Sequence, residues 1–140
     1  LIPKVIYNAL NNIKIPVYGN GEQIRDWLHV DDHANGLIEV LENGVLGETY
    51  NIGGNSEEKN INIIKKILLL IDELIPEKRS NSVKSYEELI DFVADRPGHD
   101  FRYSINSSKI SKELGWKPSY SLEKGIEHTV RWYIKNVYEI

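Results

Sequence analysis

Ile15-Pro16-Val17-Tyr18-Gly19-Asn20-Gly21-Glu22-Gln23-Ile24-Arg25-Asp26-Trp27-Leu28-His29-Val30-Asp31-Asp32 compresses two strands and a helix start into one stretch. Ile15 to Tyr18 reads as a short strand, and Gly19-Asn20-Gly21 as the turn that ends it. Ile24 to Val30 alternates loosely and reads as a second strand. Asp31 and Asp32 then read as the cap and first turn of a helix to about Glu42, where Asn43-Gly44 stops it. Upstream, Leu1, Ile2, Val5, Ile6, Ala9 and Leu10 form the stripe of an amphipathic helix, with Pro3 in its first turn. Downstream, Glu48 to Ile52 reads as a strand ended by Gly53-Gly54. Ile61 to Ile75 carries a helical stripe, with Asn60 at the N-cap position and Pro76 past its end. A polar stretch from Glu77 to Ser85 reads as a mobile loop, and Ile90 to Ala94 as a strand. Asp95 to Arg102 is irregular and highly charged. Asn106 or Ser107 caps a short helix closed by Gly115. Ser121 caps a last helix in which Leu122, Ile126, Val130 and Tyr133 share a face. Without an internal repeat or linker, these patterns predict one mixed α/β domain over 1–140.

Composition narrows the class. At 140 residues, 41% hydrophobic and 27% charged, the chain fits an ordinary globular domain and excludes collagen-like or largely disordered classes. The longest apolar run, Ile67 to Ile71, is far short of the ~20 residues of a membrane helix, so no membrane partner is expected. There are 21 acidic and 17 basic residues, the basic ones scattered, which argues against a nucleic-acid surface. Cysteine is absent, which removes disulfides and thiolate metal sites and suits a reducing cytoplasm. Methionine is absent too, and the first residue is Leu1, so a piece of a longer protein is expected.

Catalytic and phosphate-loop signatures are missing. No Gly-x-Gly-x-x-Gly follows a strand, and Gly19-x-Gly21 is only a turn signal. His29 and His33 are spaced for zinc on one helical face, but His29 falls on the strand before the helix, and no metal is expected. Binding signals are better. Pro16 and Tyr18 project to one side of their strand and form either a flat platform for a nucleobase or part of the core. Arg25 beside Trp27 offers a planar fork for phosphate oxygens, or a surface ion pair with Asp26 or Glu22. Asp95-Arg96-Pro97-Gly98-His99-Asp100 places acids, an arginine and a histidine around a Pro-Gly turn. That is either a binding loop or a solvated one.

Together these stretches resemble the carboxyl-terminal part of the extended short-chain dehydrogenase/reductases that act on nucleotide sugars. Pro16 to Gly21, Arg25 to Asp32, and Thr49-Tyr50-Asn51-Ile52-Gly53-Gly54 carry the superfamily likeness. Ala94 to Asp100, with Arg102-Tyr103 and Lys109-Ile110 through Glu113-Leu114-Gly115-Trp116-Lys117-Pro118, resembles the dTDP-glucose 4,6-dehydratase family within it. His99 favours that family over the UDP-sugar epimerases and decarboxylases, whose same lobe is the alternative. A non-catalytic nucleotide-binding module is the alternative of another class.

The resemblance implies a substrate-binding lobe without its amino-terminal Rossmann half. NAD and the catalytic residues would belong to that half. In this lobe Pro16, Val17 and Tyr18 would line the base and ribose, and Arg25 would reach the diphosphate or ribose. Asn60 would hydrogen-bond the nucleotide, and Asp95, Arg96, Pro97, Gly98 and His99 would close over the phosphates. Leu1 and Ile2 would meet the site's edge through their backbone. The implied reaction is loss of water from a dTDP-sugar through an internal redox cycle that does not consume NAD. The full-length protein would be a homodimer and the piece a monomer, prone to associate through apolar residues such as Leu37, Val40 and Leu41.

Overall fold

Alternation along Ile15-Pro16-Val17-Tyr18 decides which face of the first strand is inside. In the computed structural model, which describes residues 1–137, Ile15 and Val17 are 1% and 3% exposed, whereas Tyr18 is 48% exposed. Residues 138–140 of the expected domain lie outside the described residues. The elements are α1 (Ile2–Leu10), β1 (Ile15–Tyr18), β2 (Ile24–Asp26), α2 (Val30–Asn43), β3 (Glu57–Lys59) and α3 (Asn60–Leu74). They continue with 3-10 turns at Pro76–Lys78 and Tyr86–Leu89, β4 (Ile90–Val93), α4 (Ser108–Leu114) and α5 (Leu122–Val137). The chain divides into two compact units. The first holds Leu1–Gln23, Lys59–Phe101 and the segment from Ile126 on; the second holds Ile24–Glu58 and Arg102–Gly125.

In the first unit, β1 runs parallel to β4, with Ile15 opposite Ile90 and Tyr18 opposite Val93. Helix α1 packs on α3. Its Val5, Ile6 and Ala9 are buried, as are Ile63, Ile64, Ile67, Leu68 and Ile71 of α3. Each large aliphatic side chain so buried stabilises the fold by about 1.5–3 kcal/mol, so α3 is the main apolar contributor. The glycine turn after β1 is closed by Gly21 N–H donating to the Tyr18 carbonyl at 3.1 Å. Gly21 has φ +74°, and a Cβ there would lie 2.8 Å from Ile61 Cβ and 2.9 Å from Val17 Cγ1. Both conditions require glycine.

The polar stretch after α3 is tethered at several points. Asp72 accepts from Arg79 Nη1 and from Tyr86 N–H, and Asn12 bonds Ser80 N–H and the Lys78 carbonyl. The loop expected from Glu77 to Ser85 is irregular beyond the short 3-10 turn at Pro76–Lys78, and these bonds hold it to Asn12 and α3.

In the second unit, β2 pairs with β3, and Arg102 bridges Ile24 in parallel. Asp26 accepts from Gly54 N–H at 2.9 Å and Ser56 N–H at 2.8 Å, which folds the Gly53-Gly54 turn back onto β2. Gly36 of α2 lies against Ile52 and Trp116; a Cβ there would come within 3.0 Å of Ile52 Cγ2. Helix α4 ends at Gly115, φ +73°, as the glycine signal predicts.

Four expectations are corrected. Glu48 to Ile52 is not a strand, because no strand among the described residues pairs with it, and its side chains and the Thr49 carbonyl are held from elsewhere. Lys109 Nζ binds Glu48 and the Thr49 carbonyl, Tyr50 Oη donates to Glu113, and Asn51 Nδ2 donates to the Asn106 carbonyl. The strand expected over Ile24 to Val30 ends at Asp26, whose carboxylate is committed to Gly54 and Ser56. The cap of α2 is His29, whose Nδ1 accepts from Asp31 N–H at 3.3 Å, so Asp31 and Asp32 both sit in the first turn. Asn60 is the first residue of α3 rather than its cap, and its N–H donates to the Gln23 carbonyl at 3.0 Å. Of the apolar residues expected on the surface of α2, Leu37 and Leu41 are exposed and Val40 is half-buried.

Candidate functional site

The end of β1 and the turn after β4 meet in the first unit through their main chain, Gly19 N–H donating to the Val93 carbonyl at 2.9 Å. With Ile15 and Val17 turned into the core, Pro16 and Tyr18 face the other way, so core packing does not account for this pair. Val17 offers only its main chain to a ligand.

Asp95 organises the turn. Its Oδ1 accepts from His99 Nδ1 at 2.7 Å and from Arg96 N–H at 2.9 Å, and its Oδ2 accepts from Gln23 Nε2 at 2.8 Å. The hydrogen bond from His99, helped by those from Arg96 and Gln23, holds the carboxyl below its usual range against the smaller opposing effect of burial. An ionised carboxylate only accepts, so Nδ1 of His99 carries the shared hydrogen. The His99 side chain is 9% exposed and that of Asp95 37%. The imidazole meets the Tyr18 ring edge-on, centroids 6.2 Å apart. Carboxylate, imidazole and phenol thus form one connected cluster.

Arg96, Pro97 and Gly98 occupy the exposed tip of the turn, which His99 N–H closes onto the Arg96 carbonyl at 3.3 Å. Gly98 has φ +69°. The Arg96 guanidinium has no protein partner among the described residues. Glu22 is taken by Lys59 at 3.0 Å and by Asn20, which lowers its carboxyl, the Lys59 hydrogen bond being the main cause. A ring, an imidazole and an exposed cation at one turn suit an aromatic anion such as a nucleotide.

Leu1 and Ile2 lie at the start of α1, outside the hydrogen bonds just described. In the second unit, Arg25 donates from Nη1 to the Ile24 carbonyl at 2.6 Å, and its guanidinium lies 4.6 Å over the Tyr103 ring. Tyr103 is a partner that residue spacing does not reveal. The imidazole of His29 stacks on Tyr120 at 4.1 Å, and its Nδ1 caps α2.

A model of the family described as GDP-mannose 4,6 dehydratase matches residues 1–129. The chain belongs to that family. It is 54% identical to a dTDP-glucose 4,6-dehydratase of Escherichia coli over 136 residues, 97% of this chain and 37% of the relative. It therefore spans little more than a third of that relative's length. Among solved structures, a dTDP-glucose 4,6-dehydratase from Bacillus anthracis in complex with NAD matches with TM-score 0.83 and 41% identity, covering 99% of this chain and 40% of that one. A UDP-glucose 4-epimerase from Thermotoga maritima shares the fold at TM-score 0.77 and 24% identity, covering 97% of this chain and 40% of that chain. The mixed α/β fold expected from the sequence is that of these enzymes.

NAD does not fit the residues present. Among the described residues no glycine-rich turn leads from a strand into a helix: Gly19-Asn20-Gly21 leads from β1 to β2. The face of Gly21 is filled by Ile61 and Val17, leaving no cradle for a pyrophosphate.

Proposed function

We propose that this chain is the nucleotide-holding lobe of a dTDP-glucose 4,6-dehydratase, which converts dTDP-glucose to dTDP-4-keto-6-deoxyglucose and water. The observation that carries this is 54% identity to a dehydratase of that name over 97% of the chain. The cluster of Tyr18, Asp95 and His99 beside an exposed Arg96 supports it in physical terms. Pro16 and Tyr18 supply a flat surface for base and ribose, with the Val17 main chain between them. Asn60 hydrogen-bonds the nucleotide, and residues Asp95 to His99 close over the diphosphate. Leu1 and Ile2 contribute main-chain groups at the edge. Arg25 keeps its assignment to the diphosphate or ribose from the resemblance alone, its fork steadied by Tyr103.

Holding the diphosphate is a contribution of orientation: the hexose is presented in one pose to groups that this chain does not supply. NAD and the catalytic residues are assigned to the part of the longer protein outside this chain. The longer protein is proposed to be a cytoplasmic homodimer. No helix among the described residues is long and apolar enough to cross a membrane. The chain alone is expected to bind no NAD, and calorimetry with NAD at millimolar concentration checks this. Heat from a saturable site would place a cofactor cradle in these residues.

The test of the whole reading is mass spectrometry of dTDP-glucose after incubation with the full-length protein. The expected product is lighter by one water. Epimerisation, the rival chemistry, leaves the mass unchanged, and that outcome with UDP-glucose would replace this reading by the epimerase one.

A further inference from the structure

We propose that Gln23 is a positioning residue that fixes the Asp95–His99 pair at the ligand site, a task that packing of the core does not explain. The inference rests on the reading that the Asp95 to His99 turn closes over a nucleoside diphosphate.

Gln23 is 5% exposed and lies between the glycine turn and β2. Its carbonyl accepts from Asn60 N–H at 3.0 Å, and its Nε2 donates to Asp95 Oδ2 at 2.8 Å. The other oxygen of Asp95 holds His99 and the Arg96 N–H. Restrained at both oxygens, the carboxylate cannot turn about its last bond without losing a partner. The imidazole is aimed by the same carboxylate, so Gln23 acts on the ring through Asp95. Gly19, at φ +58°, turns the chain beside this carboxylate, and a Cβ there would stand 3.4 Å from Asp95 Oδ2, an ordinary contact.

The second observation is that Gln23 Oε1 is buried with no hydrogen-bond partner among the described residues. Reversing the amide would only set that oxygen against Asp95 Oδ2, acceptor against acceptor, so its orientation follows from the charge of Asp95. A buried acceptor without a donor disfavours the folded state. Leucine or methionine would fill a similar volume without any such atom. Stability therefore argues against an amide here, and the bond to Asp95 argues for it.

The experiment compares wild type, Gln23→Leu and Gln23→Met by thermal unfolding, by proton and nitrogen NMR of the His99 ring, and by calorimetric titration of dTDP and thymidine. Both variants are expected to melt no lower than wild type. Each should lose or broaden the hydrogen-bonded Nδ1–H resonance of His99 and bind dTDP about fivefold more weakly, the worth of roughly one hydrogen bond. Thymidine binding should not change. A His99 resonance unchanged in folded variants would overturn the proposal, as would both variants melting well below wild type, which would make Gln23 a structural residue. If dTDP binds none of the proteins, the nucleotide reading fails. The ring resonance still decides whether Gln23 governs His99.

Discussion

Asp32→Ala is expected to destabilise the protein more than any other single change considered, by about 3 kcal/mol. Asp32 sits in the first turn of α2, 2% exposed. Its carboxylate accepts from Ser119 N–H and Tyr120 N–H, each at 3.0 Å, and from the Ser119 hydroxyl. Those donors lie between α4 and α5, so one side chain ties that segment to α2 within the second unit. Alanine would take the shared acceptor away from all three donors and leave the space of a buried carboxylate unfilled. Burial is the largest single influence on this carboxyl and raises it, but the bonds from Ser119 and Tyr120, with the charge of His29, together outweigh it and bring it below its usual value. The sign follows from that direction. A carboxyl lowered in the folded state contributes stability above its unfolded value of about 3.9, and the contribution is lost as pH falls below it. Urea unfolding near pH 7 and again near pH 3 checks both points. The gap between wild type and Asp32→Asn should be wide at the higher pH and narrow at the lower; an equal gap at both would contradict the charged lock.

Arg96→Ala carries the second largest expected effect, on ligand rather than on stability. The guanidinium is exposed at the tip of the turn and has no protein partner among the described residues, so its removal leaves the fold intact. A charge-assisted hydrogen bond to phosphate contributes roughly 1.5–3 kcal/mol, so dTDP should bind about tenfold or more weakly. Lysine keeps the charge and loses the two-point fork, so Arg96→Lys should recover only part of the loss. Thymidine, lacking phosphate, should be indifferent to both changes. Arg25→Ala and Arg25→Lys, followed in the same titration, test the role assigned to that residue. Equal losses for dTDP and thymidine would show that Arg96 does not face phosphate.

What the residues reveal in advance depends on whether local pattern or pairing decides. Strand β1, its glycine turn, helix α3 and the Gly115 stop follow from alternation, helical period and backbone freedom, all local properties. Strand β3 does not: Glu57-Glu58-Lys59 has no apolar alternation and exists because β2 offers it a ladder. Thr49-Tyr50-Asn51-Ile52 has strand-forming residues but no ladder, and its polar groups go to Lys109, Glu113 and Asn106. The same divide runs through the candidate site. The composition of the Asp95 to Asp100 turn marks it as chemically unusual, and the alternation in β1 restricts Tyr18 to one face. Which face is the core becomes visible only with Ile15 and Val17 packed. Gln23 is invisible in one dimension, since nothing in its neighbourhood points to an acid 72 residues away. Tyr103 under Arg25 is hidden for the same reason.

The central claim is that this lobe holds the nucleoside diphosphate of a dTDP-sugar, and calorimetric titration of dTDP and UDP tests it most directly. Saturable binding of dTDP, tighter than that of UDP and displaced by dTDP-glucose, is the expected result. Absence of dTDP binding, or tighter binding of UDP, would contradict it.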